Sequence, residues 1–138
     1  MDTRKDFLRI MEEQTEIALA TDADKAPNVR VVNFYYDAAS ATLFFSTFAD
    51  NQKVAELEGN ERVAFTTIPH KGNEHVKARG IARKSAKSIH DVKDGFIRRI
   101  PDYADTVEQV GEHLVLFEVK FEKAVVTLDF ENIDTLVI

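Results

Sequence analysis

Residues 27–53 read PNVRVVNFYYDAASATLFFSTFADNQK, and the fold turns on how this stretch divides. Residues 28–36 are β-branched and aromatic nearly throughout, with Val29, Val31, Val32, Phe34, Tyr35 and Tyr36 around a single cation, Arg30. That composition predicts a strand. Asp37 to Ser40 supplies a short turn, and Thr42-Leu-Phe-Phe-Ser-Thr47 returns as a second strand. From Asn51 the period becomes helical, with Val54 and Leu57 on one side and Gly59 as a stop. An arginine in an apolar strand, hydroxyls at a strand end and Lys53 in a helix's first turn are groups that can converge on one anion.

Outward from this stretch, the chain opens with a helix. Thr3 and Asp6 read as its capping box, and Phe7, Ile10, Met11 and Gln14 share a face. Residues 16–21 alternate as a strand, and residues 22–27 turn. A further strand spans 62–68. The strand at 74–83 is sharply two-faced: Val76, Ala78, Gly80 and Ala82 lie on one side, His75, Lys77, Arg79 and Arg83 on the other. Helical spacing begins at Ser85 and breaks at Pro101, and a short helix follows over 102–112. Strands at 114–121 and 124–130 complete the pattern. The apolar end Leu136-Val137-Ile138 is expected to dock on this chain or a partner, while Glu12, Glu13, Glu56 and Glu58 are expected on solvated helix faces.

Short connections between the first strands favour antiparallel neighbours. The strands at 28–36 and 42–47 are apolar on both faces, so neither face is suited to water. Both features fit a mainly β architecture: an antiparallel barrel with helices at its ends and one wall covered by a second subunit. A homodimer is therefore expected.

Composition excludes much. At 138 residues the chain makes one domain, and a net charge of −6 argues against a nucleic-acid binder. With no cysteine, neither disulfides nor thiol chemistry arise. The five glycines form no dinucleotide or phosphate-loop motif, and no serine sits in a nucleophile elbow. The four histidines show no metal-ligand pair at helical spacing, so no metal site is expected. No run approaches membrane-spanning length, and the expected location is the cytoplasm.

What remains is the anion site. Backbone N–H groups at a helix start favour phosphate, Lys53 adds a point charge, and Arg30 offers a planar fork. Each has a plainer reading. Lys53 fits a surface helix, Thr47 a strand-end hydroxyl, and Asp50 a helix cap whose charge opposes phosphate. Arg30 is costly inside an apolar strand unless a glutamate from elsewhere pairs with it.

The segments Pro27-x-x-Arg30-x-Val32, Phe45-Ser46-Thr47 and Asn51-Gln52-Lys53, followed by Glu74-His75-Val76-Lys77-Ala78-Arg79-Gly80-Ile81-Ala82, resemble the pyridoxamine 5′-phosphate oxidase-like family. Nearly the whole chain shares that family's element order, closest to its short general-stress-protein and nitroimidazole-resistance branches. The resemblance implies a six- to seven-stranded antiparallel split β-barrel that binds FMN at a homodimer interface. It implies that Arg30 and Lys53 hold the FMN phosphate, and that Val31, Val32 and Asn33 border the flavin. It further implies that Ser46 and Thr47 meet the ring edge or ribityl chain, that Asn51 and Gln52 stand at the phosphate end, and that His75 approaches the flavin across the interface. The chain closes on Asp-Thr-Leu-Val-Ile138, without the Arg-x-His element by which true pyridoxamine 5′-phosphate oxidases grip substrate. The implied activity is thus an FMN-dependent oxidoreductase passing electrons from a reduced nicotinamide donor to a small substrate. The alternative is a non-catalytic flavin sensor or store, or a binder of another phosphorylated planar cofactor. Deazaflavin-using and haem-binding branches of the family also exist.

Overall fold

The computed structural model describes residues 1–138. The strand expected over 28–36 is two strands. β2 (Ala26–Asn33) pairs antiparallel with β1 (Glu16–Ala23), whereas β3 (Tyr35–Asp37) pairs with β4 (Thr42–Phe48). The break falls at Phe34, fully buried, whose N–H donates to the carbonyl of Thr15 rather than to a ladder. One stretch thereby serves both edges of the sheet, which runs β2-β1-β5-β6-β7-β4-β3. Its other members are β5 (Arg62–Thr67), β6 (His75–Lys84) and β7 (Leu114–Lys120). Every pairing is antiparallel.

The split lies along β6. Its C-terminal half pairs with β7, and its N-terminal half pairs with β8 (Lys123–Thr127), so one strand edge feeds two partners. The last strand expected over 124–130 ends at Thr127. The apolar tail then forms β9 (Ile133–Val137) on β8, with Leu136 and Ile138 packed against the barrel core. The curled antiparallel sheet with peripheral helices is the expected split-barrel architecture.

Four α-helices surround the sheet: α1 (Thr3–Glu13), α2 (Gln52–Gly59), α3 (Ile89–Arg99) and α4 (Tyr103–Val110). α1 buries Phe7, Ile10 and Met11 at one end of the barrel. Its cap is Asp2, which accepts from the Lys5 N–H, rather than the expected Thr3. Thr3 instead donates to Asp134 on β9, tying the two chain ends together.

The double-faced apolar character of β4 has a local explanation. Leu43 and Phe45 point into the barrel core, with Phe45 stacked on Phe117 at 5.3 Å. Phe44 faces the other way, into a second cluster formed with Ile89, Val92, Phe96, Tyr103 and Val107 of α3 and α4. The protein's own helices, not a partner, cover that wall. On β2 the expectation of a second buried face also fails within one chain. Val29 and Val31 are 65% and 55% exposed, because β2 is an edge strand and nothing from the same chain crosses its outer side.

Candidate functional site

α2 begins where β4 ends, so the hydroxyl at the strand end and the first turn of the helix lie together. Asn51 caps α2 by accepting from the Lys53 N–H at 3.0 Å, the role assigned to Asp50 from sequence. Lys53 is not a surface lysine. It is 7% exposed, and its Nζ donates to Thr47 Oγ1 at 2.6 Å. No carboxylate lies in ion-pair range of that ammonium. Burial, and then the neighbouring Arg30, hold the Lys53 pKa below the usual lysine range, while Glu56 partly offsets them.

Arg30 projects from the inner face of β2 opposite Leu19 of β1. Its guanidinium donates to Thr21 Oγ1 at 3.0 Å and to Glu56 Oε2 at 3.0 Å. Glu56 was expected on a solvated helix face and is instead buried. Beyond Arg30 it accepts from Thr21 at 2.7 Å and from Asn28 at 3.2 Å. These partners, the Thr21 hydroxyl foremost and then Arg30, hold its pKa below the usual glutamate range. The signal in the sequence was Arg30 itself, since a cation in an apolar strand demands a carboxylate. The helical pattern of α2 could not say which of its glutamates turned inward.

The structure therefore brings together Arg30, Thr47, Asn51 and Lys53, and adds Thr21 and Glu56. Arg30, Lys53 and Glu56 leave one net positive charge, centred on an ammonium whose only close partner is a hydroxyl. Such a group is costly to bury alone, and an anion is the ligand chemistry that would complete it. Gln52 is exposed beside it in the first turn. Val32 packs against the core, whereas Val31 and Asn33 are exposed on β2.

Two residues stand apart. The Ser46 side chain alternates away from Thr47 and hydrogen-bonds the Tyr103 hydroxyl in the helical cluster. His75 lies on β6, three strand spacings along the sheet from β2, or about 14 Å. Its Nδ1 lies 2.7 Å from the Asn73 carbonyl. A carbonyl only accepts, so Nδ1 carries a proton and donates to it. Within one chain His75 is not part of the Arg30–Lys53 cluster.

The fold is an antiparallel split barrel with a buried cation at the strand–helix junction. A family model described as pyridoxamine 5′-phosphate oxidase-like matches residues 10–133, and the chain belongs to that family. No curated protein matches it by sequence. Among solved structures, general stress protein 26 from Bacillus anthracis strain Sterne superposes with a TM-score of 0.78 at 15% identity, covering all of both chains. A heme binding protein from Mycobacterium smegmatis superposes at 0.80 with 8% identity, over 99% of this chain and 58% of that one. HutZ, a heme storage protein from Vibrio cholerae, superposes at 0.70 with 19% identity, over 88% and 92%. At these identities the likeness establishes the fold. The chain spans little more than half the length of the Mycobacterium protein.

Proposed function

We propose that the chain binds FMN, with the phosphate received at Lys53, and works as an oxidoreductase fed by a reduced nicotinamide donor. The observation that carries this reading is the buried Lys53 ammonium, hydrogen-bonded to Thr47 and without a counter-ion. A phosphate beside it supplies the missing charge and accepts its unspent N–H bonds. Arg30 fits a bracing role as well as a direct one. Two of its N–H groups are spent on Thr21 and Glu56, and the others remain for a ligand. The Gln52 amide stands at the same end, whereas the Asn51, Lys53 and Val54 N–H groups are already bonded within the chain.

When bound, FMN supplies the redox chemistry, taking hydride or electrons from the donor and passing them to a small oxidant. The chain's own part is to bind, orient and exclude water, which is consistent with a site that needs no acid–base pair. The exposed Val29 and Val31 on β2 suit a two-fold interface, the homodimer of this reading. His75 of the partner subunit would then present its Nε2 edge toward the flavin.

The test is the absorbance spectrum of purified protein, followed by NAD(P)H under nitrogen. Flavin bands that bleach on adding the donor support the reading. Flavin bands that persist unchanged leave a binding protein without turnover. A Soret band in place of flavin bands, the outcome suggested by the heme-binding proteins on this fold, would refute it.

A further inference from the structure

Away from the Arg30–Lys53 cluster, the divergence of β7 and β8 from β6 opens a cleft of about 980 Å³. Gly80 lies where the two partners part. A Cβ there would stand 2.5 Å from the Lys120 carbonyl, so only glycine lets β7 close this tightly before it leaves. The cleft floor is apolar, with Ala64, Ile81 and Val125 on the face that carries Lys77 and Arg79, and its rim is cationic.

Four of the rim cations are Arg62, Lys77, Arg79 and Lys123, all exposed, and none has a carboxylate within ion-pair range. Elsewhere Arg9, Arg30, Arg83 and Arg98 are paired with carboxylates, while Arg4 and Arg99 bond the Val137 and Gln14 carbonyls. Lys120 also lines the cleft, but its ammonium is held by the Ser40 carbonyl and Thr42. The only acid in the lining is Glu122. In a chain of net charge −6, an unneutralised cluster of this kind runs against the overall field.

Register fixes the spacing. Lys77 and Arg79 are alternate residues on one face of β6, about 7 Å apart. Arg79 pairs with Ala64 and Ile81 with Arg62, which places Arg62 diagonally beside Arg79, again at about 7–8 Å. Lys77 pairs with Val125, which places Lys123 diagonally on the far side. One phosphate, with about two negative charges, leaves four cations half neutralised, and two linked phosphates match them more closely. The cleft volume is that of a small-molecule pocket, and the net charge disfavours a nucleic-acid duplex.

We propose that this cleft is a second anion site that takes a nucleotide bearing two linked phosphates, the base or sugar resting on the Ala64–Ile81 floor. The site stands independently of the flavin reading.

The probe is ADP, titrated calorimetrically at low salt against AMP, adenosine and inorganic pyrophosphate. ADP is expected to bind about tenfold or more tighter than AMP, with adenosine unbound at the same concentration. The exposed double variant Lys77→Ala/Arg79→Ala, and separately Lys123→Glu, should each weaken ADP at least about tenfold, while Lys53→Met leaves ADP unchanged. Unaltered ADP affinity in both cleft variants would overturn the site. Displacement of ADP by FMN in direct competition would also overturn it, because the two anions would then share one place. Pyrophosphate binding as tightly as ADP would remove the nucleoside from the assignment, and a DNA duplex binding more tightly than ADP would replace the ligand class altogether.

Discussion

Replacing Lys53 with methionine should separate the apo protein from the ligand-bound one, with effects in opposite directions. In the free protein the ammonium is 7% exposed, donates to Thr47 and faces the cation of Arg30, so its charged form is disfavoured and its pKa is depressed. A lysine depressed in the native state carries its full penalty below that lowered pKa. Between it and the ordinary lysine value, the unfolded chain binds more protons, so stability rises with pH through that alkaline window. Lys53→Met abolishes this rise and leaves the free protein no less stable near neutral pH, since the stem is kept and a desolvated charge is removed. Thr47→Val in the same background deletes the hydroxyl left without its donor. FMN should behave the other way. Hydrogen bonds to charged groups contribute about 1.5–3 kcal/mol, so the variant should bind FMN roughly tenfold to a hundredfold more weakly. At an FMN concentration about a hundred times the wild-type Kd, wild type gains about 2.7 kcal/mol of stability, and a variant weakened a hundredfold gains about 0.4 kcal/mol. Melting curves with and without FMN read both effects, and riboflavin, lacking the phosphate, should be indifferent to the substitution. Equal FMN-induced shifts in wild type and Lys53→Met would show that the phosphate does not lie at this ammonium.

Arg30→Ala should strand the buried Glu56 carboxylate and cost stability at or below the low end of about 3–5 kcal/mol, because Arg30 is only partly buried. Urea unfolding at neutral pH measures it, and a loss within error of zero would mean the pair contributes nothing. Glu56, with its depressed pKa, stabilises fully above the usual glutamate range and loses that contribution as pH falls through its native value. Glu56→Gln should flatten this acid limb of the stability curve, and an unchanged limb would assign it to other carboxylates. On the outer side of β2, Val31→Asp should turn a dimer into a monomer by sedimentation while leaving the circular dichroism intact, whereas a wild-type monomer at micromolar concentration would remove the interface from the proposal. Gly95→Ala places a Cβ 2.4 Å from the Tyr35 ring, so it should destabilise by about 1–3 kcal/mol through overpacking of the α3 wall; an unshifted melting curve would show that the ring gives way freely.

Period and turn chemistry were enough for most elements. The alternation of β6 is borne out side chain by side chain, with Val76 and Ala82 buried and Lys77 and Arg79 exposed. The Asp37–Ser40 turn does return β4 against β3, and the helical period from Asn51 does begin α2. The family resemblance, carried by short segments in fixed order, extended this to the split barrel. Local sequence succeeds in these places because strand and helix periods are set by the chain's own dihedrals. It also located the Lys53 turn, since Thr47 and Lys53 are near neighbours in sequence.

Pairing across distance was decided only by the folded chain. The change of partner at Phe34 depends on where the Thr15 carbonyl lies, which no period within residues 28–36 encodes. The outward face of β4 looked ready for a second subunit, yet α3 and α4, more than forty residues later, fold back to cover it. Ser46 and Thr47 are adjacent in sequence but serve Tyr103 and Lys53 on opposite faces, because a strand turns successive side chains apart. Glu56 and Glu58 are the same residue type two positions apart on α2, and only the position of Arg30 on β2 made one of them a buried counter-ion. A charge left in low dielectric selects its partner by three-dimensional proximity, and that proximity is a property of the barrel rather than of any segment in it.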